Sequence, residues 1–293
     1  MSNILYNLRG IVTLIFVLSN TIIQSTILLP FAILKFSIPV KSVEAFLTRV
    51  LDAIGENWIS VNKWFFENTR PLSLKVTGAN NLEKDEWYLC IANHQSWVDI
   101  LVIQFALNKK IPFLKFFIKK QLLWLPVFGA VWYAMDFPFM SRYSRETLKK
   151  KPHLRGKDIE TTRKACRKFK YKPVSVMNFV EGTRLTKAKY AAQNSPYKNL
   201  LKPRAGGIAF VLEALDGQIN KILSISVKYH GKSDFWEFLC GKTEGVHIDV
   251  ESLDVDPSFV GSYQEDEEFR KNFQAIVSGL WLKKDQKLEE MKG

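Results

Sequence analysis

The sequence predicts an α/β domain that follows an N-terminal hydrophobic helical segment associated with a membrane. Three observations support this prediction: an uncharged run near the N-terminus, a helical apolar stripe after it, and an alternation of short apolar runs with helical patterns after Pro71. With 293 residues, of which 47% are apolar and 24% charged, the chain is too hydrophobic to be disordered and long enough for one large domain with appendages.

The first element is the run Gly10–Leu34, whose 25 uncharged residues lie between Arg9 and Lys35. A helix of this length crosses a hydrocarbon core of about 30 Å. A re-entrant hairpin or a helix lying in the interface competes with a full span, because the run is interrupted by Asn20, Gln24, Ser25 and Pro30. A cleavable signal is disfavoured, since the run exceeds the usual apolar region and no A-x-A-like site precedes Lys35.

Basic residues around this run predict its orientation. Arg9 precedes the run, whereas Lys35, Lys41 and Arg49 follow it, and this excess favours the main body on the cytoplasmic side. We therefore take residues 1–40 as a membrane-spanning or re-entrant segment.

Residues 41–70 predict an amphipathic helix at the membrane interface, although packing into a core explains its stripe equally well. The apolar positions are Val43, Leu47, Val50, Leu51, Ile54, Trp58, Val61 and Phe65. A third apolar run, Leu122–Met135, has 14 residues, too few for a comfortable span, and predicts a buried or half-submerged helix pair.

The main domain is predicted over residues 71–240, followed by a C-terminal helical extension over 241–293. The strand candidates are Leu72–Thr77, Trp87–Ala92, Phe137–Met140, Val174–Val180 and Leu223–Tyr229. The helix candidates are Trp97–Leu107, Asp158–Phe169 and Ile208–Leu215, with a further helical stripe between Phe269 and Trp281.

The net charge of +13 is concentrated in the middle of the chain. Residues 101–250 hold 28 basic and 11 acidic side chains, and Arg142–Lys172 alone holds 13 and 3. Such a stretch attracts phosphates, anionic lipid headgroups or an acidic carrier, and a solvated basic helix explains it equally well. Nucleic-acid binding is disfavoured because no RRM, KH, zinc-finger or helix-turn-helix signature is present.

The three cysteines predict neither a disulfide framework nor a metal site. Cys90, Cys166 and Cys240 are odd in number and show no CxxC spacing. We expect them in the core, and we expect no bound metal.

The segment Asn93–Asp99 (NHQSWVD) follows a strand candidate and opens a helical pattern, where α/β sheets place their sites. Residues five apart are rotated by about 140° within one helix, so His94 and Asp99 do not share a helix face. If His94 lies in the preceding turn, the Asp99 carboxylate reaches back to the imidazole and makes it an oriented general base. A satisfied structural histidine explains this spacing about as well. No G-x-S-x-G elbow is present, so we expect the nucleophile to be a hydroxyl of the substrate.

Three further segments combine a turn with basic residues. They are Phe137–Arg142 (FPFMSR), Asn178–Arg184 (NFVEGTR) and Lys202–Gly207 (KPRAGG). A glycine lets the backbone approach a ligand, and an arginine offers a planar fork to a phosphate. Each segment alone is equally well explained as a surface turn.

Taken together, NHQSWVD, FPFMSR, NFVEGTR and KPRAGG resemble, in order, the four motifs of the glycerophospholipid acyltransferases, which include the PlsC-like lysophosphatidic acid acyltransferases. The intervening sequence is most similar to the YihG-type bacterial inner-membrane branch, itself similar to lysocardiolipin acyltransferases. The resemblance covers nearly the whole chain and implies a mixed sheet flanked by helices. It implies that residues 71–240 form the acyltransferase domain and that the chain is in the bacterial inner membrane, with this domain facing the cytoplasm.

The resemblance also implies roles for individual residues. His94 is the general base and Asp99 orients it. The substrate phosphate is bound by Arg142, Glu181, Gly182, Thr183 and Arg184. Supporting positions are Asn93, Lys119, Pro203 and Arg204. The chain departs from the family pattern in having Met140 and Ser141 before Arg142, and Arg204 where lysine is common, which leaves the acceptor headgroup open.

The implied reaction transfers a fatty acyl group from acyl-CoA or acyl carrier protein to the free hydroxyl of a lysophospholipid, with lysophosphatidic acid the first expectation and no bound cofactor. Lysocardiolipin or lysophosphatidylglycerol is the alternative acceptor. The partners implied are these substrates and the lipid bilayer. Two other hypotheses compete with acyl transfer. The chain is either a non-catalytic protein that binds anionic lipid or a hydrolase in which His94 activates water.

Overall fold

Two long helices precede the sheet in the computed structural model, which describes residues 3–69, 72–140, 172–215 and 217–291 together with Cys166 and Phe169. Helix α1 spans Asn3–Ser37 and α2 spans Lys41–Thr69, so both helices predicted at the N-terminus are confirmed. The predicted helix Asp158–Phe169 and most of the basic stretch Arg142–Lys172 lie outside the described residues.

The described strands are β1 Ser73–Thr77, β2 Tyr88–Ala92, β3 Leu114–Phe116, β4 Ile118–Lys119, β5 Phe139–Met140, β6 Ser175–Phe179, β7 Lys221–Gly231 and β8 Thr243–Asp254. The remaining described helices are α3 Val98–Leu107, α4 Phe128–Ala134, α5 Lys187–Gln193, α6 Gly206–Leu215, α7 Phe235–Leu239 and α8 Glu267–Glu290, with short 3-10 turns at Lys120–Trp124 and Pro257–Phe259. The five strand candidates and the C-terminal helix are thus confirmed.

The main sheet has the order β1-β8-β7-β2-β6-β3, and β4 pairs separately with β5. Strands β7 and β8 are antiparallel, whereas the other pairs of the main sheet are parallel, which confirms a mixed sheet. Strand β2 is buried over its whole length. Its uninterrupted apolar sequence is typical of a strand with both faces covered.

One helix layer packs on each face of the sheet. Side chains of β2 alternate between the two cores: Cys90 and Ala92 join the core that includes α2 and α3, whereas Leu89 and Ile91 join the core that includes α6 and α8. The three cysteines are buried, as their predicted place in the core requires. Burial raises the pKa of the Cys166 thiol to about 12, which suits a core residue and not a nucleophile.

Strand β8 lies where the sequence analysis placed a C-terminal helical extension from residue 241. It is inserted between β1 and β7 in the main sheet, and the last helix begins only at Glu267. The strand was missed because its sequence, TEGVHIDVESLD, carries charged residues among its apolar ones. In its middle, Val246, Ile248 and Val250 are buried, whereas His247 and Asp249 between them are partly exposed.

Helix α1 has its polar side chains on the protein side and its apolar side chains outside. Its buried residues are Gly10, Thr13, Asn20, Gln24, Ser25, Leu28, Ala32 and Lys35. Asn20 Nδ2 donates to the Trp58 carbonyl of α2 at 3.1 Å, and Phe16 stacks on Phe65 with 3.8 Å between ring centroids. The outward face is exposed and apolar, with Ile4, Ile15, Ile22 and Ile33 among its residues. By length and composition, α1 suffices to cross a membrane.

Both ends of α1 contact the domain. Near the N-terminal end, Trp236 Nε1 of α7 donates to Asn7 Oδ1 at 3.3 Å. At the C-terminal end, Lys35 Nζ lies 2.6 Å from Asp136 Oδ2 and donates to the Ala134 carbonyl at 2.8 Å. The helix therefore lies along the domain.

The apolar run Leu122–Met135 is not buried as a helix pair, and the half-submerged alternative stays a prediction. It forms the end of a 3-10 turn and one short helix, α4, and Leu122, Trp124 and Val127 are exposed. Pro126, together with the positive φ of 65° at Val127, separates the turn from the helix.

Candidate active site

The site lies where two parallel strands, β2 and β6, end at one shared register position. Ala92, the last residue of β2, pairs in register with Phe179 of β6 and with Ile225 of β7. The residues after β2 and β6 therefore meet at one edge of the sheet, the place where α/β folds collect functional groups.

His94 and Asp99 form the contact that their spacing predicts. His94 lies in the turn after β2, and Asp99 lies in the first turn of α3. The distance between His94 Nδ1 and Asp99 Oδ2 is 2.8 Å, and the Asp99 carboxylate is fully buried. With Nδ1–H donating to the carboxylate, Nε2 of the neutral ring carries the lone pair that accepts a proton.

The Asp99 carboxylate is held by donors from three other groups. The amides of Gln95 and Ser96 donate to Oδ2 at 2.7 and 2.9 Å, and the hydroxyl of Tyr229 donates to Oδ1 at 2.5 Å. Burial and the neighbouring carboxylate raise the pKa of Tyr229 well above its ordinary value, so this hydroxyl keeps its proton. The carboxylate therefore has a fixed orientation towards His94.

The imidazole of His94 packs flat on Phe179 of β6, with ring centroids 4.0 Å apart and planes inclined by 17°. Its side chain remains 13% exposed. The ring is thus held on one side by an aromatic face, while its edge remains within reach of a substrate.

Asn93 fixes the turn that carries His94. Its side chain is buried and forms two hydrogen bonds with Val227 of β7: Nδ2 donates to the carbonyl at 2.9 Å, and the Val227 amide donates to Oδ1 at 2.8 Å. The side chain thereby extends the pairing of β2 and β7 beyond the last residue of β2.

Glu181 orders the backbone of the site, and its predicted place among the phosphate-binding residues stays a prediction. The carboxylate is buried. Oε1 accepts the His94 amide and Oε2 accepts the Leu201 amide, both at 2.9 Å. Burial raises the pKa of Glu181 to about 7, against the lowering effect of these two amides. Each oxygen of the Glu181 carboxylate is therefore engaged with one backbone amide.

Gly182 follows in a left-handed conformation, with φ of 69°. A Cβ at this position would lie 3.0 Å from Cδ of Arg204, so glycine allows the fourth motif to pack on the third. The Arg204 amide donates to the Val180 carbonyl at 2.8 Å, which ties the two motifs together.

Thr183 and Arg184 complete this loop beside the His94 turn. The Leu185 amide donates to the His94 carbonyl at 2.8 Å, and the Arg184 guanidinium lies 4.5 Å from the ring centroid of Trp97. Lys189 Nζ donates to Thr183 Oγ1 at 2.6 Å. The first, third and fourth motifs are therefore joined by backbone hydrogen bonds, and Arg184 of the third motif packs on Trp97 of the first.

A comparison with protein families finds the acyltransferase model over residues 73–228, which is more than half of the chain and includes the dyad and the Glu181 loop. This chain belongs to the acyltransferase family. Among solved structures, it is similar to the 1-acyl-sn-glycerophosphate (LPA) acyltransferase PlsC from Thermotoga maritima, with 19% identity, a TM-score of 0.48, and coverage of 93% of this chain and 96% of that chain. The narrower YihG-type branch stays a prediction.

The remaining predicted site residues of this acyltransferase are Arg142, Lys119 and Pro203. Arg142 lies outside the described residues. Lys119 is exposed on β4 and pairs in register with Met140, two residues before Arg142. Pro203 precedes Arg204 in the irregular segment before α6, where it needs no backbone N–H.

Sequence reasoning missed the acyltransferase residues that support the site from a distance. Tyr229 lies 130 positions from Asp99. On α8, Trp281 Nε1 donates to the Leu201 carbonyl at 2.9 Å, and the buried Lys284 donates to the Ile225 carbonyl at 2.8 Å. In the sequence, these residues appear only as polar positions within apolar stripes. Such a position does not indicate which groups its side chain contacts.

Proposed function

We propose that this acyltransferase transfers a fatty acyl group from acyl-CoA or acyl carrier protein to the free hydroxyl of a lysophospholipid, with lysophosphatidic acid as the first expected acceptor and phosphatidic acid as the product. The observation that supports it most directly is the 2.8 Å contact between His94 Nδ1 and the buried Asp99. A carboxylate on one ring nitrogen leaves the other nitrogen as the base.

The proposed reaction is a direct transfer. Nε2 of His94 takes the proton of the acceptor hydroxyl while that oxygen attacks the thioester carbonyl carbon. The tetrahedral intermediate collapses, the carbon–sulfur bond breaks, and the departing thiolate takes the proton back from the imidazolium. A positioned base contributes about 10² to 10⁴ in rate, so orientation of the two substrates supplies much of the remainder.

The phosphate of the acceptor is proposed to bind among Arg184, Arg204 and Thr183, with Arg142 added from the predicted motif. Support comes from the position of Arg184, whose guanidinium stacks on Trp97 three residues after His94. Stacking holds the planar fork in place, and such a fork suits a phosphate. Glu181 is left as the residue that orders the loop.

The proposed location is the cytoplasmic face of a bacterial inner membrane. Support comes from the outward apolar face of α1, which a lipid environment would cover, and from the excess of lysine and arginine after α1. Both substrates of such a reaction carry acyl chains, so a site beside the bilayer shortens their path. The proposed chemistry uses no bound cofactor, since the acyl donor is a co-substrate.

The test is transfer from labelled acyl-CoA or acyl carrier protein to a panel of lysophospholipids by membranes that contain the wild type or His94→Ala. We expect the variant to lose at least 10²-fold in rate. Asp99→Asn should lose much of the activity too, because an amide no longer orients the same tautomer.

The matched control is His247→Ala, which removes a half-buried imidazole that contacts Thr77 at 3.3 Å, on β8 and away from the dyad. It should retain activity. Preference for lysocardiolipin or lysophosphatidylglycerol in the panel would replace lysophosphatidic acid as the acceptor. Equal transfer by wild type and His94→Ala would refute the catalytic proposal, and free fatty acid released without any acceptor would favour hydrolysis.

A further inference from the structure

An exposed apolar surface extends from the 3-10 turn that follows β4 into α4. These residues are far from α1 in the sequence. We call it the Trp124 patch; its residues are Leu122, Trp124, Leu125, Val127, Phe128 and Tyr133. Trp124 is 84% exposed and Val127 is 53% exposed. Single exposed apolar residues are common on protein surfaces. A contiguous apolar patch indicates a surface that a membrane or another molecule covers.

The patch is continuous with the outward face of α1. Tyr133 of α4 stacks on Phe36 of α1 with 5.4 Å between ring centroids, and the buried pair of Lys35 and Asp136 joins α1 to the segment that follows α4. On α1 the exposed apolar residues run to this end of the helix, where Ile33 is exposed. The patch therefore extends the apolar face of α1 onto the domain.

The shape of the patch is held by its backbone. A Cβ on Gly129 would lie 1.9 Å from the Leu123 carbonyl oxygen, so the turn folds directly onto the start of α4. Val127 has a φ of 65°, which is unfavourable for a β-branched residue and is maintained by the surrounding structure. The exposed side chains are thus presented on a defined turn.

The charges beside the patch suit a lipid surface. Lys119 and Lys120 are exposed at its start, and residues 111–135 contain neither aspartate nor glutamate. Tryptophan and tyrosine favour the level of the headgroups, and lysines extend towards anionic ones. A protein partner has no comparable support, since the surface is continuous with a helix face suited to lipid.

We propose that the Trp124 patch is a second membrane contact of this protein, which inserts into the same leaflet as the apolar face of α1 and adds the domain itself to the contact with anionic lipid. The proposal goes beyond acyl transfer and depends only on the proposed membrane location. Its two contacts, one on α1 and one on the domain, would prevent the domain from rotating about α1.

The test uses the full chain in vesicles of phosphatidylcholine with one third phosphatidylglycerol, with a nitroxide label attached to single introduced cysteines. The native cysteines are buried, which limits their labelling. Leu122→Cys and Trp124→Cys report on the patch, Ile22→Cys on α1, where the residue is 67% exposed, and Lys271→Cys on α8, where the side chain is 73% exposed. Accessibility to oxygen and to a water-soluble nickel chelate locates each label.

We expect labels at 122 and 124 to be accessible to oxygen and protected from the chelate, like the label at 22, whereas the label at 271 is accessible to the chelate. If 22 is in lipid while 122 and 124 are as exposed to the chelate as 271, the patch proposal is wrong and the membrane location survives. If 22 is exposed to the chelate too, both are wrong.

A functional variant gives an independent measurement. Trp124→Ser combined with Leu125→Ser should weaken binding to these vesicles about tenfold, while the rate towards a dispersed short-chain acceptor stays at the wild-type value. Unchanged vesicle binding in this variant would overturn the proposal.

Discussion

Tyr229 connects the dyad to strand β7 through one hydrogen bond. Its hydroxyl donates to Asp99 Oδ1 at 2.5 Å, in a site where the carboxylate is fully buried. A hydrogen bond to a charged group contributes about 1.5–3 kcal/mol, and its removal leaves a buried oxygen with one donor fewer. The orientation of Asp99 therefore depends on a residue far away in the sequence.

We predict that Tyr229→Phe lowers the turnover number about tenfold or more, with little change in KM, because the phenyl ring preserves the packing while Asp99 is less firmly oriented. The measurement is steady-state acyl transfer. Tyr197→Phe is the control: Tyr197 is also buried, but its hydroxyl bonds the Ser278 carbonyl, and the variant should retain its turnover number. A change confined to KM in Tyr229→Phe would contradict the positioning role.

At the residue scale, the sequence could predict contacts between residues that are close in the chain but not contacts between distant ones. His94 and Asp99 lie five positions apart, so local geometry sufficed to predict their contact. Tyr229 and Leu201 reach the site only through the order of strands in the sheet, which apolar periodicity does not determine. The two backbone amides that donate to Glu181 were not predicted for the same reason, because they lie 87 and 20 positions away.

At the scale of elements, the sequence predicted what apolar patterns encode. Long apolar runs and helical stripes located α1, α2, α8 and the central strands. Strands β3 and β4 have three and two residues, too few for a periodicity to appear. Strand β8 alternates charged with apolar residues, and its place between β1 and β7 depends on pairing distant in the sequence.

Helix α8 supports the site through a buried cation. Lys284 is buried and donates to the Ile225 carbonyl at 2.8 Å, beneath the strand that carries Val227 and Tyr229. Burial lowers its pKa to about 7, opposed by the nearby carboxylates of Glu251, Asp249 and Glu181. The folded protein therefore releases this proton far more readily than an unfolded chain does.

This shift predicts a pH dependence of stability. The folded pKa of Lys284 is depressed to about 7, below the unfolded value of about 10.4. Loss of this proton therefore stabilises the folded protein. The stabilisation is fully present above a pH of about 10.4, decreases as pH falls, and is lost as pH falls through about 7. Between pH 7.5 and 9.5 the wild type should gain up to about 1.4 kcal/mol per pH unit relative to Lys284→Met. Chemical unfolding of both proteins in detergent at the two pH values measures this difference. Parallel changes in the two proteins would contradict it.

At the scale of the whole molecule, α1 has the reverse of the usual amphipathic arrangement. Thr13, Asn20 and Gln24 face the protein, while the isoleucines face outwards. In water this arrangement exposes apolar area and hides hydrogen-bonding groups, whereas in contact with lipid it satisfies both. The same face continues into the Trp124 patch, so α1 and the patch form one exposed apolar surface, which the proposed membrane contact would cover.

The contacts at the two ends of α1 predict its topology in the membrane. Asn7 bonds α7 and Lys35 bonds the segment after α4, so both ends lie against one domain, which cannot be on two sides of a bilayer. In sealed inside-out membrane vesicles, a tag fused to the N-terminus and a cysteine at Lys271→Cys should both react with membrane-impermeant reagents. A full span of α1 would protect the tag until detergent is added while position 271 still reacts, and that pattern would require the contact between Asn7 and Trp236 to be broken in the membrane.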